Sequence, residues 1–157
     1  MATQPKPFTS REIKVGSAFI KVMSKVNTVI YRATKGRIGG KLSGAPVLLL
    51  NHTGAKSGKA YTSPLMLVTE GDAFVLIASK GGMPHNPSWY HNLMAYPVCS
   101  VEVGGDRIEC VAREVSGAER TALWDTAVEV YPEYENYQAR TDRLIPVIVL
   151  DRIVKAS

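Results

Sequence analysis

Between Ser10 and Arg32 the apolar side chains recur at helical spacing. Ile13, Phe19, Ile20, Met23, Val26 and Ile30 fall on one side of a helix, and Lys14, Lys21, Lys25 and Arg32 on the other. Thr9, with Glu12 three residues later, forms a capping box at the start. The pattern therefore predicts a long amphipathic helix over Ser10–Arg32. It allows two placements: the apolar side packed on the rest of the domain with a solvated basic face, or the helix lying in a membrane interface.

After the Gly- and Lys-rich stretch 34–44 the period changes. Val47–Asn51, Tyr61–Thr69, Ala73–Ser79, Val98–Val103, Arg107–Val115 and Pro146–Leu150 read as strands rich in Val, Leu and Ile. Glu70-Gly71-Asp72 and Gly104-Gly105-Asp106 are hairpin turns, so the strands they join are antiparallel. Asn86-Pro87 predicts the cap and first turn of a short helix, and Ser116 with Glu119 the capping box of another reaching Val130. About six antiparallel strands with inserted helices make a small barrel of the α+β type, mainly β. The division expected is an amphipathic helix over residues 1–35 and a barrel domain over 36–157.

Length and composition narrow this picture. A chain of 157 residues, 45% hydrophobic and 21% charged, is one domain with a core. Its longest apolar runs are strand length, and its first residues lack a secretory signal, so the expected location is cytoplasmic, with the inner face of the plasma membrane added if the helix binds lipid. Cys99 and Cys110 sit in alternating strands and read as buried, reduced thiols. His52, His85 and His91 have no zinc-like spacing, so no metal is expected. The net charge of +5 favours an anionic partner, but no nucleic-acid recognition motif is present.

Three segments carry candidate chemistry. In Thr53-Gly54-Ala55-Lys56-Ser57-Gly58-Lys59, small residues expose backbone and two lysines supply charge for a phosphate or carboxylate. It is not a nucleotide P-loop, because the glycine spacing is one short and Ala60 stands where a magnesium-binding hydroxyl is needed. Ala78-Ser79-Lys80-Gly81-Gly82 offers a hydroxyl, a charge and open backbone just ahead of Trp89 and Tyr90, which could stack on a planar ring or fill the core. Tyr131, Tyr134 and Tyr137 recur every three residues; phenols there could donate protons and wall an apolar pocket, or form an amphipathic turn on the barrel. No Ser-His-Asp set and no GxGxxG are evident, which argues against hydrolase chemistry and a Rossmann site.

Taken together, PVLLLNHTGAKSGKAYTSPLM, VLIASKGGMPHNPSWYHNL and YPEYENYQARTDRLIPVIVL resemble the deazaflavin-dependent nitroreductase family, as does the first helix with Asn27 and Tyr31. The resemblance implies a split β-barrel of the flavin-reductase or FMN-binding type. It implies an oxidoreductase that moves a hydride from the reduced deazaflavin coenzyme F-420 to a quinone, a nitroaromatic or an activated alkene. By the same resemblance the phosphate and oligoglutamate tail would meet Lys56 and Ser57, helped by Lys59, with Ala55 in the same loop where relatives often carry another basic residue. Tyr61, Thr62, Ser63, Pro64, Leu65 and Met66 would line the coenzyme, followed by Ile77, Ala78, Ser79 and Lys80. Ser88, Trp89, Tyr90, His91 and Asn92 would close the groove. Ser79, Tyr134 and Tyr137 would act on the acceptor, with Tyr134 also against the coenzyme. Met66 stands where an aromatic can occur and Arg140 where tryptophan can. The partners expected are a small-molecule acceptor, a peripheral membrane contact through the helix, and either no second subunit or one identical copy. The alternatives are an FMN-dependent split-barrel oxidase or reductase, and a non-catalytic carrier of a flavin-like ligand.

Overall fold

The structure, a computed structural model, describes residues 8–38, 40–42 and 45–154; the side chains of residues 16–24 and of Leu42 lie outside the description. Its helices are α1 (Ser10–Thr34), α2 (Ser88–Ala95), α3 (Gly117–Val130) and α4 (Glu133–Ala139), with a 3-10 turn at Lys80–Gly82. Its strands are β1 (Lys41–Leu42), β2 (Ala45–Thr53), β3 (Ala60–Met66), β4 (Thr69–Glu70), β5 (Ala73–Ile77), β6 (Val98–Val103), β7 (Asp106–Val115) and β8 (Val147–Arg152).

The strand expected over Tyr61–Thr69 breaks in two, and the break closes the barrel. β3 pairs with β2, and Leu67 N still donates to Pro46 O (2.8 Å). One residue later Val68 O accepts from Val75 N (2.9 Å), and β4 pairs with β5. The order β2-β6-β7-β8-β5-β4 then returns through β4 and β3 to β2, all antiparallel. Along its own length β3 pairs with β2 alone, so its other edge is open. Pro64, which has no N–H, is accommodated on such an edge.

β2 is buried on both faces, which explains why its sequence is a continuous apolar run. Leu48 and Leu50 face the barrel interior with Leu76, Ile148, Leu150, Trp89, Leu93, Cys99 and Cys110. Val47 and Leu49 face outward beneath Tyr31 of α1. The outer faces of β5 and β8 carry a second layer, in which Val75, Val147 and Val149 meet Leu123, Ala127 and Tyr134. Each fully buried Leu or Ile contributes roughly 1.5–3 kcal/mol through removal from water. Cys99 and Cys110 are register partners on β6 and β7, both buried and reduced. Burial raises both thiols, to about 12 and about 11, so they are protonated packing groups.

The helix α1 has the expected capping box, with Glu12 N donating to Thr9 Oγ1 (3.3 Å) and Thr9 N to Glu12 Oε2 (2.7 Å). Its docking differs from the packed-apolar-face arrangement. Tyr31 is buried, its Oη accepting from Gly104 N (2.7 Å) and donating to Glu102 O (3.3 Å). Arg32, expected on a solvated face, instead turns onto the barrel, pairing with Glu102 (2.9 Å) and donating to Asn51 and Thr62. Opposite this docked side, Val15 (63%), Val26 (50%), Val29 (68%) and Ile30 (38%) are exposed. Polar partners for Tyr31 and Arg32 set the rotation of the last turns, and the apolar stripe points away. Phe19, Ile20, Met23 and Lys21, expected on these faces, lie outside the described side chains.

Two expected caps also change. Pro87 rather than Asn86 is the N-cap of α2, because Asn86 Oδ1 accepts from Arg143. Ser116 makes no side-chain cap to α3, and Glu119 pairs with Arg113 (2.9 Å) instead.

Candidate active site

The loop joining β2 to β3 is closed by Gly54 N to Lys59 O (2.8 Å) and Gly58 N to Gly54 O (2.9 Å). Gly54 leaves room for its neighbours: a Cβ there would stand 2.6 Å from Ser57 Oγ and 2.7 Å from the Tyr61 ring, and both side chains would have to shift. Ala55 N donates to Asn92 Oδ1 (2.8 Å), whereas the amides of Lys56 and Ser57 reach no acceptor among the described residues. Lys56 and Lys59 are exposed and have no carboxylate partner among the described residues. Consecutive free amides beside unpaired cations are the chemistry an anion-binding loop needs.

A buried relay holds that loop from below. Asn92 Nδ2 donates to His52 Nδ1 (3.0 Å), and His52 Nε2 lies 2.9 Å from Ser63 Oγ. Burial depresses His52 to about 4, so the ring is neutral; with Nδ1 accepting, its proton sits on Nε2 and is donated to Ser63.

At the end of β5 the chain turns through Ser79 into Lys80, Gly81 and Gly82, whose φ values are 46°, 64° and 80°. Arg143 clamps this turn: Nη2 donates to Ser79 O (2.8 Å), Nη1 to Ala78 O (3.1 Å) and Asn86 Oδ1 (2.7 Å), and Nε to Met83 O (3.0 Å). Desolvation lowers the Arg143 pKa from its ordinary value, and no carboxylate pairs with it among the described residues. Gly82 lets α4 press onto the turn, since a Cβ there would meet Tyr137 O at 2.5 Å. The hydroxyl of Ser79 keeps no partner among the described residues.

The tyrosines of α4 and of the residue before it complete the site. Tyr131 Oη and Tyr137 Oη are 2.9 Å apart, and the Tyr134 ring packs edge-on against both rings at 5.1 and 6.3 Å. Tyr134 is 5% exposed, and its hydroxyl has no hydrogen-bond partner among the described residues. Burial, with Tyr131 and Tyr137 adding to it, pushes the Tyr134 phenol well above its ordinary value. Burial and the hydrogen bond shared with Tyr131 do the same for Tyr137. Both phenols are therefore protonated at neutral pH and can donate.

A family model described as F420H(2)-dependent quinone reductase matches residues 23–152. The chain belongs to this family. An F420H(2)-dependent quinone reductase of Mycobacterium tuberculosis strain H37Rv is 44% identical over 132 residues, covering 82% of this chain and 89% of the relative. A solved F420-H2 dependent reductase, FDR-A, is 48% identical with a TM-score of 0.64, over 68% of this chain and 94% of that one. A second solved structure, described as a domain-swapped dimer, is 42% identical with a TM-score of 0.65, over 82% of this chain and all (100%) of that one. The barrel is accordingly the split β-barrel, and the chain is an oxidoreductase whose hydride donor is reduced F-420.

The residues present fit that coenzyme. Free amides and unpaired lysines suit a phosphate and carboxylate tail, and the open edge of β3 leaves Pro64 and Met66 half-buried, whereas Thr62 and Ser63 are bonded to Asn51 and His52 and Leu65 packs on the interior core. Met66, Ile77, Tyr131, Tyr134 and Tyr137 share the outer cluster, with Ser79 and Lys80 on the turn packed against α4. The remaining expected residues are placed otherwise. Trp89 and Ala78 lie in the barrel interior, and Tyr90 packs against that core. Tyr90 Oη donates to Glu114 (2.6 Å), and burial with this bond raises its pKa to about 12. Asn92 is buried and engaged with Ala55 and His52, so it positions the loop from beneath. Ser88 and His91 are exposed on α2.

The reading by sequence missed His52 and Arg143. Arg143 sits in the TDRLIP run, where an arginine just ahead of the buried Ile145 and the strand Val147–Arg152 is the one available hint. Nothing in the chain order links His52 to Asn92, forty residues apart.

Proposed function

We propose that this protein reduces a quinone with reduced F-420, Ser79 and Tyr134 polarising the acceptor oxygen and Tyr134 or Tyr137 supplying its proton. The bound coenzyme supplies the hydride; the chain supplies orientation, dryness and protons. The observation that carries the reading is Tyr134, a phenol held protonated by burial, whose hydroxyl has no hydrogen-bond partner among the described residues, on the face shared with Met66 and Ile77. Such a hydroxyl is available to donate to a bound acceptor. Lys56, Lys59 and the free amides of the 53–59 loop would hold the tail, and Asn92 with His52 would keep that loop in place.

The exposed apolar stripe of α1 supports a contact with a lipid surface. Val15, Val26, Val29 and Ile30 point away from the barrel, flanked by exposed Arg11, Lys14 and Lys25, which suits an anionic lipid surface. Among the described residues no helix is long and apolar enough to cross a membrane, and a contact through α1 would be peripheral.

The test is oxidation of reduced F-420 by a menaquinone analogue under anaerobic conditions, alongside tryptophan-quenching titrations with F-420 and FMN. Saturable F-420 binding with quinone-dependent turnover supports the reading. Preference for FMN, or F-420 binding with no turnover on any quinone, refutes it. Val26→Glu and Val29→Glu, which leave the docked side intact, should abolish flotation with anionic liposomes; unchanged flotation would sink the membrane claim alone.

A further inference from the structure

The two arginines three residues apart at the end of α4 are used in opposite ways. Every nitrogen of the Arg143 guanidinium donates within the fold. Arg140 donates to nothing through its side chain among the described residues, and its Nε is sealed from solvent without a partner. Arg120 also has a sealed Nε, but its Nη2 is bound to Ile145 O (2.7 Å). Arg140 is held in place all the same. Its own amide donates to Tyr137 O (3.2 Å), its Cβ presses on Gly82, and its guanidinium lies over the Phe8 ring at 5.4 Å. Its charge reaches the Tyr137 phenol, where it opposes the rise caused by burial. No carboxylate is within ion-pair distance of it among the described residues.

A positioned cation with idle donors, beside the tyrosines assigned to the acceptor, is complementary to an anionic oxygen. Lys56 and Lys59 occupy the other loop of the site, so the coenzyme tail has its own cations. We propose that Arg140 selects the acceptor: its guanidinium hydrogen-bonds an ionised oxygen on the quinone, and the site favours acidic quinones (ionised hydroxyquinones or quinones bearing a carboxylate) over neutral ones of the same size. This rests on the reading that the quinone binds beside Tyr134 and Tyr137.

The experiment compares 2-hydroxy-1,4-naphthoquinone, ionised at neutral pH, with neutral 2-methyl-1,4-naphthoquinone. Each is tested by kcat/KM on the F-420-loaded protein and by direct binding through quenching of tryptophan fluorescence. The wild type should bind and turn over the anion preferentially. Arg140→Gln should reduce the anion-to-neutral ratio roughly tenfold or more in both readouts, and Arg140→Lys should keep part of it. Protonating the hydroxyquinone at lower pH should erase the wild-type preference without affecting the neutral compound. An unchanged ratio in Arg140→Gln overturns the proposal, as does equal loss for both quinones, which would mark a packing role. A weakened F-420 Kd with the quinone ratio intact would assign Arg140 to the coenzyme and also overturn it. If neither quinone is turned over by the wild type, the reductase reading fails, and the binding ratio still decides whether Arg140 recognises the anion.

Discussion

Replacing Arg143 with leucine tests whether the Ser79 turn is built by one half-buried cation. The substitution removes bonds of 2.7–3.1 Å to three backbone carbonyls and Asn86. A bond from a charged donor contributes roughly 1.5–3 kcal/mol, but contacts sharing one group are not additive and half-buried carbonyls rehydrate, so the set is worth roughly 3–4 kcal/mol. Opposing this, leucine relieves the desolvation that lowers the Arg143 pKa. The net loss of roughly 2–3 kcal/mol corresponds to a fall in Tm of about 4–12 °C for a domain of this size. Thermal unfolding followed by circular dichroism measures it. Amide exchange gives the local part: Gly82 N and Met83 N, bonded to Ser79 O and Lys80 O, should exchange faster than the amides of β8. Quinone turnover should fall with the loss of a fixed Ser79, while F-420 tail binding at Lys56 is retained. A Tm equal to or above the wild type would refute the reasoning, since desolvation would then outweigh the four bonds.

Lys56→Ala and Lys59→Ala should each weaken F-420 binding roughly tenfold and flatten its salt dependence, read from titrations at two ionic strengths. Tyr134→Phe should lower kcat with quinone by about 10²-fold with little change in F-420 Kd; an unchanged kcat would move the proton donor to Tyr137 or solvent. Gly82→Ala combines a φ of 80° with a Cβ placed 2.5 Å from Tyr137 O, so it should displace α4 and cost roughly 2 kcal/mol or more, seen as a lower Tm and lost turnover. His52 is neutral in the fold, with a pKa of about 4 against 6.5 when unfolded. Between those values the unfolded chain binds the extra proton, so stability falls as pH drops from about 6.5 to about 4, by roughly 3 kcal/mol. His52→Asn should flatten that slope in denaturant midpoints taken across the window.

What the chain order made legible was what depends on local period and turn chemistry. The helix over Ser10–Arg32, both hairpins, the buried thiols of Cys99 and Cys110, and the loop 53–59 all follow from spacing, glycines and capping residues within a few positions. The break at Leu67–Val68 was not legible, because an alternating strand gives no sign that it changes partners halfway; only the separate bonds to Pro46 and Val75 reveal it. Nor was the rotation of α1. Its apolar stripe argued for a buried face, but Tyr31 and Arg32 found Gly104 and Glu102, about seventy residues away, and those polar contacts fixed the opposite side. The same limit separates residues that touch a ligand from residues that hold them. Asn92 looks from sequence like a groove residue, and its amide is engaged between Ala55 and His52. Arg140 and Arg143 are indistinguishable in the string QARTDR, and one is bound on every side while the other has its donors idle. For a polar side chain in this barrel, the informative quantity is therefore which of its donors the fold has left unmatched. By that measure Lys56, Ser79, Tyr134 and Arg140 are the side chains we propose for the ligand, and His52, Asn92 and Arg143 serve to fix where they stand.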